Sequence, residues 1–402
     1  MKALNIIIIG AGMGGLSAAV ALRQAGHHVE VYDRVSELRP AGAAISVWSN
    51  GIKVLDRLGL GEAVAAAGGR MERMAYYRKD GSPLTDFSLQ PLYEQVARRA
   101  YPIARTELQR ILLDATGAAH VHLGMRCIDY ERTAQGITAH FEDGTCATGD
   151  LLVVADGTHS KLRDKVVGAD VERRYAGYVN WNGSVAASDA LAPVTSWVQY
   201  VGDGQRVSMM PMGGAPGEER FYFFFDVALP SGSANDPARY RAELSDHFRG
   251  WASPVQRLIE RLDPTTMARV EIHDIAPLAT LVGDRVALLG DAGHGMAPDL
   301  GQGGCQAMED AWVLARCLEN ATGNAEDKAE DSAENIDAAL GAYDGARCAR
   351  VADIITRARK RAETTHGKAP QQTQRWYEEL AVEDGRHIMD GMSKTILSGP
   401  LG

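Results

Sequence analysis

Glycine and acidic residues recur in three stretches of the sequence, in patterns that suit the binding of a dinucleotide. In the first stretch Gly10, Gly12 and Gly14 form a GxGxxG pattern, and Asp33 follows at the end of the next apolar run. Such glycines permit a tight turn and let a pyrophosphate approach the amides at a helix N-terminus, while the carboxylate accepts hydrogen bonds from a ribose. The pattern suits NAD and FAD alike, because both contain adenosine diphosphate.

The other two stretches each follow a run of apolar residues. Asp156 begins DGTHSKLR after the run LLVVA, and Asp291 lies in GDAGHGMAPDLGQGG after RVALLG. Both runs are typical of buried strands, and the carboxyl ends of parallel strands meet at one edge of a sheet, where a cofactor crevice forms. The sequence therefore predicts that the three motifs lie together around one cofactor.

Apolar patterning predicts the elements that position these motifs. Residues 4–9 are typical of a buried strand, the small residues after them of a helix that stops at Gly26, and HHVEVYDR of a second strand. Alternation over 135–155 predicts a hairpin with its turn at Asp143 and Gly144, leading into LLVVA. A strand, a tight turn, a helix and a second strand in this order indicate a Rossmann-like parallel sheet.

A different texture occupies residues 174–275, where aromatic and β-type stretches include YAGYVNWNGSV, SWVQYVG and RFYFFFDVAL. These stretches predict a separate, mainly antiparallel sheet, which we expect to hold the substrate. The apolar run RVALLGDAG is again typical of a buried strand of the nucleotide-binding domain, and QAMEDAWVLARCLEN predicts an amphipathic helix. Residues 320–337 are polar and acidic, which predicts a mobile surface loop or a frayed helical extension.

Composition disfavours several classes of protein. The 402 residues carry 42 basic and 52 acidic side chains, a net charge of −10 that argues against nucleic acid or an anionic membrane as a partner. Apolar runs stay shorter than the roughly 18 residues of a membrane-spanning helix, and no signal-peptide pattern opens the sequence. The 5 cysteines show no CxxC pair or metal-binding spacing, so we expect no metal and a soluble, cytoplasmic protein.

Together, the GxGxxG, DG and GD motifs resemble those of the flavin-dependent aromatic hydroxylases, the class A flavoprotein monooxygenases. The resemblance implies FAD as the cofactor, with Asp291 at the ribityl chain and Asp156 at both flavin and pyridine nucleotide. It also implies that Arg105, at a helix start, contacts phosphate or ribose oxygens, for which a guanidinium is suited. The residues expected to bind the cofactor are Gly10, Gly12, Gly14, Asp33, Arg34, Ser46, Arg105, Cys127, Asp156, Asp291, Gly301, Gln302, Gly303, Gly304 and Cys305.

The predicted fold class is α/β. A Rossmann-like FAD-binding domain is expected to be interleaved with a mainly antiparallel β-sheet substrate domain and followed by C-terminal helices. The expected boundaries are 1–75, 98–173 and 276–350 for the FAD-binding domain, 76–97 and 174–275 for the substrate domain, and 351–402 for the C-terminal helical segment.

Further stretches narrow the resemblance: GAAISVWSNG, RRYAGYVNWNG, RVEIHDI, THGK and the terminal TILSGPLG are similar to those of the bacterial FAD-dependent urate hydroxylases, over essentially the whole chain. The resemblance implies that Arg206 engages the urate anion and promotes its reaction, that Tyr222 orients the purine, and that Asn180 adds a hydrogen bond. The implied reaction hydroxylates urate to 5-hydroxyisourate through a flavin C4a-hydroperoxide, with O2 and with NADH as electron donor.

Two alternatives stay open. A hydroxylase of another aromatic acid, of the salicylate, hydroxybenzoate or hydroxypyridine type, would share every flavin motif, and a flavin-loaded redox partner would keep the fold without turnover. Without the resemblance, Arg206 is expected to be a solvated charge at a strand end, and an ordinary core aromatic residue is as well supported for Tyr222 as a substrate contact. His294, in the GD motif, is expected to have an architectural role.

Two stretches are longer than the resemblance leads us to expect. They are MGGAPGEER and residues 320–337, and both lie at expected surface turns, where insertions are tolerated.

Overall fold

The structure, a computed structural model, describes residues 3–38, 42–133, 136–214, 217–323 and 332–402. The strands in these ranges are β1 (Asn5–Ile9), β2 (His28–Asp33), β3 (Ala44–Val47), β4 (Arg73–Arg78), β5 (Pro83–Ser88), β6 (Tyr101–Ala104), β7 (Val121–Leu123), β8 (Cys127–Thr133), β9 (Gly136–Phe141), β10 (Cys146–Gly149), β11 (Leu151–Val154), β12 (Arg173–Ala186), β13 (Ser196–Gly202), β14 (Gln205–Gly213), β15 (Arg220–Val227), β16 (Ala268–Ile275), β17 (Val282–Gly283) and β18 (Val286–Leu288).

Helices connect and cover these strands. They are α1 (Met13–Gln24), α2 (Ser49–Arg57), α3 (Gly61–Ala67), α4 (Gln90–Val96), α5 (Arg105–Thr116), α6 (Leu162–Val167), α7 (Tyr240–His247), α8 (Ser253–Glu260), α9 (Asp291–His294), α10 (Gly303–Gly323), α11 (Ser332–Thr365), α12 (Pro370–Leu380) and α13 (Arg386–Leu397). In the described ranges, no helix is both long and apolar enough to cross a bilayer.

A largely parallel sheet carries the three motifs. Its order is β17, β18, β11, β1, β2 and β7, with β17 antiparallel to β18 and the other neighbours parallel. Strands β1 and β11 are almost wholly apolar because helix α1 and the three-stranded sheet of β8, β9 and β10 pack against them. The predicted first strand, helix and second strand are confirmed as β1, α1 and β2. The predicted hairpin is confirmed as β9 and β10.

The second sheet has the order β16, β12, β15, β14, β13, β4 and β5, and its neighbours are antiparallel except for β13 and β4. Alternation along β15 gives it two unlike faces. Phe221, Phe223 and Phe225 are buried in a core cluster with residues of α7 and α8, whereas Tyr222 and Asp226 point to the opposite face. Burying each phenylalanine stabilises the fold by roughly 1.5–3 kcal/mol. The predicted fold class is confirmed.

The C-terminal part of the chain is helical, as predicted, and α11 alone runs over 34 residues. The acidic stretch contributes to two helices: residues 320–323 end α10 and residues 332–337 lie at the start of α11. For these residues the helical extension is the correct expectation and the surface loop is wrong. Residues 324–331, and 215–216 of MGGAPGEER, lie outside the described residues.

The two sheets draw on interleaved segments of the chain. The parallel sheet takes strands from residues 5–33, 121–123, 151–154 and 282–288, and the antiparallel sheet takes strands from 73–88 and 173–275. We propose the domain boundaries predicted above on this basis.

Candidate active site

A glycine turn joins β1 to α1 at the carboxyl edge of the parallel sheet. Gly10 has a φ of +112°, and a Cβ there would overlap the carbonyl oxygen of Ala155 at the end of β11. A Cβ on Gly14 would lie 2.8 Å from Leu289, so that glycine lets the helix pack closely. In contrast, a Cβ on Gly12 would meet nothing within 4 Å, and no side chain caps α1. Open space before uncapped helix amides is the arrangement that binds a pyrophosphate.

Asp33 closes this turn from the end of β2. Its Oδ2 accepts a hydrogen bond from the N–H of Ala11 at 2.7 Å, and its Oδ1 accepts one from Val35 at 3.0 Å. A carboxylate has lone pairs beyond these two, so Asp33 can also accept a bond from a ribose hydroxyl while it holds the turn. Arg34 follows it and is exposed.

Asp156 follows β11 at the same edge. Its Oδ1 is buried and has no hydrogen-bond partner in the described ranges, and burial raises the pKa of the carboxyl group. A buried carboxylate oxygen without a donor is unfavourable unless a ligand supplies one. The thiol of Cys127 lies close enough to interact electrostatically with Asp156, and burial raises the pKa of this thiol to about 11. Cys127 therefore stays protonated.

The GD motif forms the short helix α9 and the turn into α10. Asp291 is exposed at the start of α9, and a Cβ on Gly303 would lie 3.7 Å from its Oδ1. Gly301 has a φ of +62°, and a Cβ there would approach Nε1 of Trp48 to 2.7 Å. Gln302 is buried, and its Oε1 accepts a bond from Asn50 at 3.0 Å. The predicted contact residues of this turn therefore lie together in one stretch, and Gly303 lies beside Asp291.

His294 lies behind this turn. Its Nε2 is 2.6 Å from Oδ2 of Asp310, and both side chains are fully buried. Arg347 of α11 donates from Nε to Asp310 at 2.7 Å. Burial alone would raise the pKa of Asp310, but His294 and Arg347 outweigh it and lower the pKa to about 2. The geometry gives His294 a supporting position behind the GD motif, which agrees with the architectural role expected for it.

Strand β3 links the GD motif to the antiparallel sheet. Sγ of Cys305 accepts a hydrogen bond from the N–H of Trp48 at 3.3 Å, and Oγ of Ser46 donates to Sδ of Met210 at 3.0 Å. Burial raises the pKa of Cys305 to about 12, so this thiol stays neutral. A Cβ on Gly304 would overlap the side chain of Ile45, which shows how tightly α10 packs on β3.

Arg105 lies at the start of α5, between the two sheets. Its Nε donates to the carbonyl oxygen of Ala44 at 3.2 Å, and the guanidinium is close enough to Tyr222 to offset part of the rise that burial causes in the pKa of that phenol. The contact with cofactor phosphate or ribose expected for Arg105 stays a prediction. The structure adds its position beside the substrate sheet.

The face of the antiparallel sheet that turns toward β3 is polar, and Arg206 lies at its centre. Arg206 is only 6% exposed. Its Nε donates to Oδ2 of Asp226 at 2.8 Å and its Nη2 to Oδ1 of Asp299 at 3.2 Å. Its Nη1 has no partner in the described part of the chain and is not sealed from solvent. The guanidinium is therefore a buried cation with one free donor edge, and not a solvated charge.

Tyr222 lies on the same face, opposite Met210 of β14 and Ser184 of β12. Its hydroxyl makes no hydrogen bond to a described residue, and it is not sealed off. Burial raises the pKa of Tyr222 to about 12. The side chain is therefore a neutral phenol at physiological pH, able to donate a hydrogen bond to a ligand and unable to act as a base.

Asn180 is held at both ends of its amide. Its Nδ2 donates to Oδ1 of Asp226 at 2.7 Å, and its Oδ1 accepts a bond from Asn182 at 2.8 Å. Asn182 in turn accepts a bond from the N–H of Ala43 at 3.2 Å. Asn180 therefore supports Asp226 through one hydrogen of Nδ2. The second hydrogen of Nδ2 is the group that Asn180 can still offer to a substrate.

Sequence reasoning missed the acidic partners of Arg206. Asp226 and Asp299 have fully buried side chains. An acidic residue in the apolar strand RFYFFFDV was the available signal for Asp226, because a buried carboxylate requires a partner. Tyr178 and His366, which also contact Asp299, gave no comparable signal.

A basic cavity of about 750 Å³ opens beside the DG motif. The cationic side chains that line it are Arg34, Arg126, Lys161, Arg163 and Arg173, and they surround His159, whose pKa is lowered by burial and by neighbouring arginines. Arg163 is buried and donates to the carbonyl oxygen of Ala292 in the GD motif at 3.4 Å. The excess of positive charge suits a ligand that carries phosphates. No cluster of His, Cys, Asp or Glu in the described ranges is placed to hold a metal ion.

The residues at the carboxyl edge of the parallel sheet fit FAD. The open space at Gly12 lies before the helix amides, and Asp156 presents a buried oxygen that lacks a donor. Asp291 and the GD turn lie between this edge and the polar face of the antiparallel sheet. An extended dinucleotide can therefore reach from the glycine turn to the substrate sheet.

Comparison with known proteins agrees with this geometry. A family model described as FAD binding domain matches residues 3–342. The FAD-dependent urate hydroxylase of Klebsiella pneumoniae is 52% identical over 400 residues, which cover 99% of this chain and 100% of that protein. The FAD-dependent urate hydroxylase of Mycolicibacterium vanbaalenii is 49% identical over 401 residues, which cover 99% of this chain and 98% of that protein.

A solved structure matches over nearly the whole chain. The crystal structure of Klebsiella pneumoniae HpxO complexed with FAD and uric acid is 51% identical, with a TM-score of 0.93, and the match covers 99% of this chain and 98% of that one. The chain therefore belongs to the FAD binding domain family and, within it, to the FAD-dependent urate hydroxylases.

Proposed function

We propose that this chain is an FAD-dependent monooxygenase that hydroxylates urate to 5-hydroxyisourate, with O2 as oxidant and NADH as electron donor. The observation that carries the proposal is the free Nη1 edge of Arg206. A buried guanidinium donor without a protein partner requires an acceptor, and an anionic ligand supplies the strongest one. The relatives named above act on urate by name, and HpxO was crystallised with uric acid.

The protein's own residues bind and orient the substrate. Arg206 favours the ionised, electron-rich form of urate, because an opposite charge stabilises the anion. Tyr222 keeps its proton and donates a hydrogen bond that orients the ring. Asn180 supports Asp226 and has one hydrogen left for the substrate. FAD, when bound, supplies the redox chemistry: it accepts electrons from NADH and activates O2 for transfer to the ring.

The basic cavity at the DG motif is the proposed docking site for the electron donor. Its five arginine and lysine side chains suit the two phosphates of a pyridine dinucleotide. Arg34 and Arg163 line this cavity, and Arg163 contacts the GD motif, so a dinucleotide docked there would lie beside the FAD-binding edge, which supports the proposal. NADH docking there would explain why positive charge gathers at this place in a chain whose net charge is −10.

The decisive experiment measures NADH oxidation by the purified holoenzyme with and without urate, together with detection of 5-hydroxyisourate before it decays. We expect urate to stimulate NADH oxidation and the hydroxylated product to accumulate in step. Salicylate and 4-hydroxybenzoate serve as comparison substrates. Stimulation by a phenolic acid and not by urate would assign the chain to another ring hydroxylase, and FAD binding without any stimulated turnover would favour a redox partner.

A second experiment tests the donor site. Lys161→Gln removes one exposed cation at the cavity, and Arg249→Gln removes an exposed cation outside it. We expect Lys161→Gln to raise KM for NADH by roughly twofold to tenfold without loss of FAD, since a rim charge acts on encounter and docking. Arg249→Gln should leave KM unchanged. An unaltered KM for NADH in both variants would contradict the proposal that NADH docks in this cavity.

The cytoplasmic location expected from the sequence stays a prediction.

A further inference from the structure

The chain turns from α11 into α12 directly behind Arg206. Gly367, with a φ of +71°, packs against Gly204 in the turn between β13 and β14, and a Cβ on Gly204 would lie 2.9 Å from Cα of Gly367. The N–H of Gly204 also donates to the hydroxyl of Tyr377 in α12 at 3.2 Å. The corner that contains His366 is thus docked on the turn that leads into Arg206.

His366 lies between this corner and the polar face. The side chain is almost fully buried, and its Nε2 lies 3.0 Å from Oδ1 of Asp299. The imidazole stacks on the ring of Tyr178 with centroids 3.7 Å apart. The hydroxyl of Tyr178 donates to the other carboxylate oxygen of Asp299 at 2.6 Å. His366 and Tyr178 therefore hold Asp299 by its two oxygens.

This arrangement leaves Asp299 in contact with only one nitrogen of Arg206. Asp299 accepts from Nη2 at 3.2 Å, while Nη1 has no partner among the described residues. Guanidinium and carboxylate groups prefer to pair through two parallel hydrogen bonds, a geometry that would occupy Nη1 as well. Two other donors on Asp299 oppose that rotation. The free edge of Arg206 therefore depends on what else Asp299 accepts.

We infer that His366 is a positioning residue for the substrate anion: through the hydrogen bond to Asp299 it keeps Nη1 of Arg206 free. The inference rests on the proposed function, because it concerns the same anion. It gives the C-terminal helices a part in the site, and it accounts for the stretch THGK, which the flavin motifs do not explain.

The test compares two substitutions of one residue. His366→Phe keeps a flat ring against Tyr178 and removes the donor, whereas His366→Gln keeps an amide donor at a similar distance from the backbone. Lys368→Gln is the matched control, since Lys368 is exposed in the same corner and pairs with Glu363. For each holoenzyme we would measure FAD content, urate affinity by titration of the flavin absorbance, KM for NADH, and the ratio of product to NADH consumed.

We expect His366→Phe to weaken urate binding roughly tenfold, the loss typical of one hydrogen bond to a charged group, and to lower the ratio of product to NADH. FAD content and KM for NADH should stay at wild-type values, and His366→Gln should recover most of the urate affinity. Unchanged urate affinity in His366→Phe would overturn the inference. So would equal losses in both His366 variants, because the donor would then be irrelevant.

Tyr178→Phe tests the inference independently if His366→Phe does not yield folded holoenzyme. It removes the other donor to Asp299 and should likewise weaken urate binding with NADH binding unchanged, and wild-type urate affinity in this variant would overturn the inference. The wild-type protein separates the two levels of failure. If urate neither binds to it nor stimulates it, the proposed function fails and the inference with it; if only the variants behave unexpectedly, the proposed function stands.

Discussion

The carboxyl edge of the parallel sheet and the polar face of the antiparallel sheet prepare for ligands in opposite ways. At the edge, Gly12 leaves open space before the amides of α1, and one oxygen of Asp156 has no donor among the described residues. On the polar face the charges of Arg206, Asp226 and Asp299 largely satisfy one another, and among the described residues Nη1 of Arg206 and the hydroxyl of Tyr222 are left without a protein partner. Open space before backbone amides thus serves a cofactor that many enzymes share, whereas a few unsatisfied side-chain donors serve a particular substrate.

The difference has a physical reason in specificity. Backbone amides at a helix start bind any pyrophosphate, so they distinguish poorly among dinucleotides. A buried donor that is left unpaired by the wrong ligand costs the full desolvation of that donor, which rejects ligands without a matching acceptor. The edge therefore sets the cofactor class, and the polar face sets the substrate.

The largest effect is expected from Arg206→Gln, which removes the cation at the centre of the polar face. Urate-dependent hydroxylation should fall by roughly a hundredfold or more, because the substrate anion loses its charged donor and two buried carboxylates lose their partner. FAD should stay bound and reducible by NADH, since the cofactor edge is untouched. Stopped-flow measurement of flavin reduction by NADH checks the cofactor edge, and detection of the hydroxylated product checks the polar face.

Two further variants sharpen this prediction. Arg220→Gln, at an exposed arginine of β15 that donates to Ser184, should keep wild-type turnover. Arg206→Gln should also lower the melting temperature, because it leaves the buried carboxylate of Asp226 without its cationic partner. Adding Asp226→Asn removes that buried charge, so the double variant should regain part of the lost stability without regaining hydroxylation. Wild-type coupling in Arg206→Gln would contradict the role given to the polar face.

An intermediate effect is expected at the glycine turn, where two substitutions to alanine should differ. Gly10→Ala should lower both the melting temperature of the apoprotein and the affinity for FAD, because its Cβ would overlap Ala155 and its φ disfavours any side chain. Gly12→Ala should leave the stability of the apoprotein unchanged, since its Cβ meets no protein atom. It should weaken FAD binding by about tenfold, because the Cβ would occupy the space before the helix amides. Calorimetry and FAD titration separate the two outcomes.

The pair also carries its own control. If Gly12→Ala bound FAD as tightly as the wild type, the open space at the helix start would not be where the pyrophosphate passes. If Gly10→Ala were as stable as the wild type, the close approach of the glycine turn to Ala155 would not require a glycine at position 10.

The smallest effect concerns Asp156 and the pH dependence of stability. Burial raises the pKa of this carboxyl above its ordinary value of 3.8, so the folded apoprotein disfavours the ionised form. Its contribution should therefore destabilise the apoprotein progressively as the pH rises from about 4 through the raised pKa. Asp156→Asn should flatten that part of the profile, as measured by urea unfolding of the apoprotein.

FAD-loaded protein provides the comparison for this measurement. Hydrogen-bond donors from the cofactor favour the ionised carboxylate, so the wild-type holoenzyme should lack the slope that the apoprotein shows. A slope of equal size in both forms would mean that no cofactor hydroxyl reaches Asp156.

Local motifs carried much of the prediction. The glycine turn, its flanking strands and the hairpin at Asp143 followed from patterns within a few residues, because backbone conformation and sheet burial are recorded locally. The GD turn could be predicted for the same reason: its glycines and Asp291 are neighbours in the chain. The acidic stretch at 320–337 was harder, since polarity alone does not separate a loop from an exposed helix end.

The network around Arg206 could not be predicted by such reasoning. Asp226, Asp299 and His366 come from a strand, from the GD turn and from the end of α11, and they are brought together only by the packing of α11 on the sheet. The resemblance to urate hydroxylases singled out Arg206 itself, and it did not say what surrounds the guanidinium.

The sequence by itself determined the cofactor class, the fold class and the identity of the central cation. The fold class depends on patterns of burial that a single chain records along its length, whereas the cofactor and the central cation follow from motifs that the chain shares with a known family. Only the tertiary structure decided which edge of Arg206 is free, that Oδ1 of Asp156 has no donor among the described residues, and that His366 reaches Asp299. Those outcomes depend on how charges from distant segments satisfy one another once water is excluded, and no local pattern contains that balance.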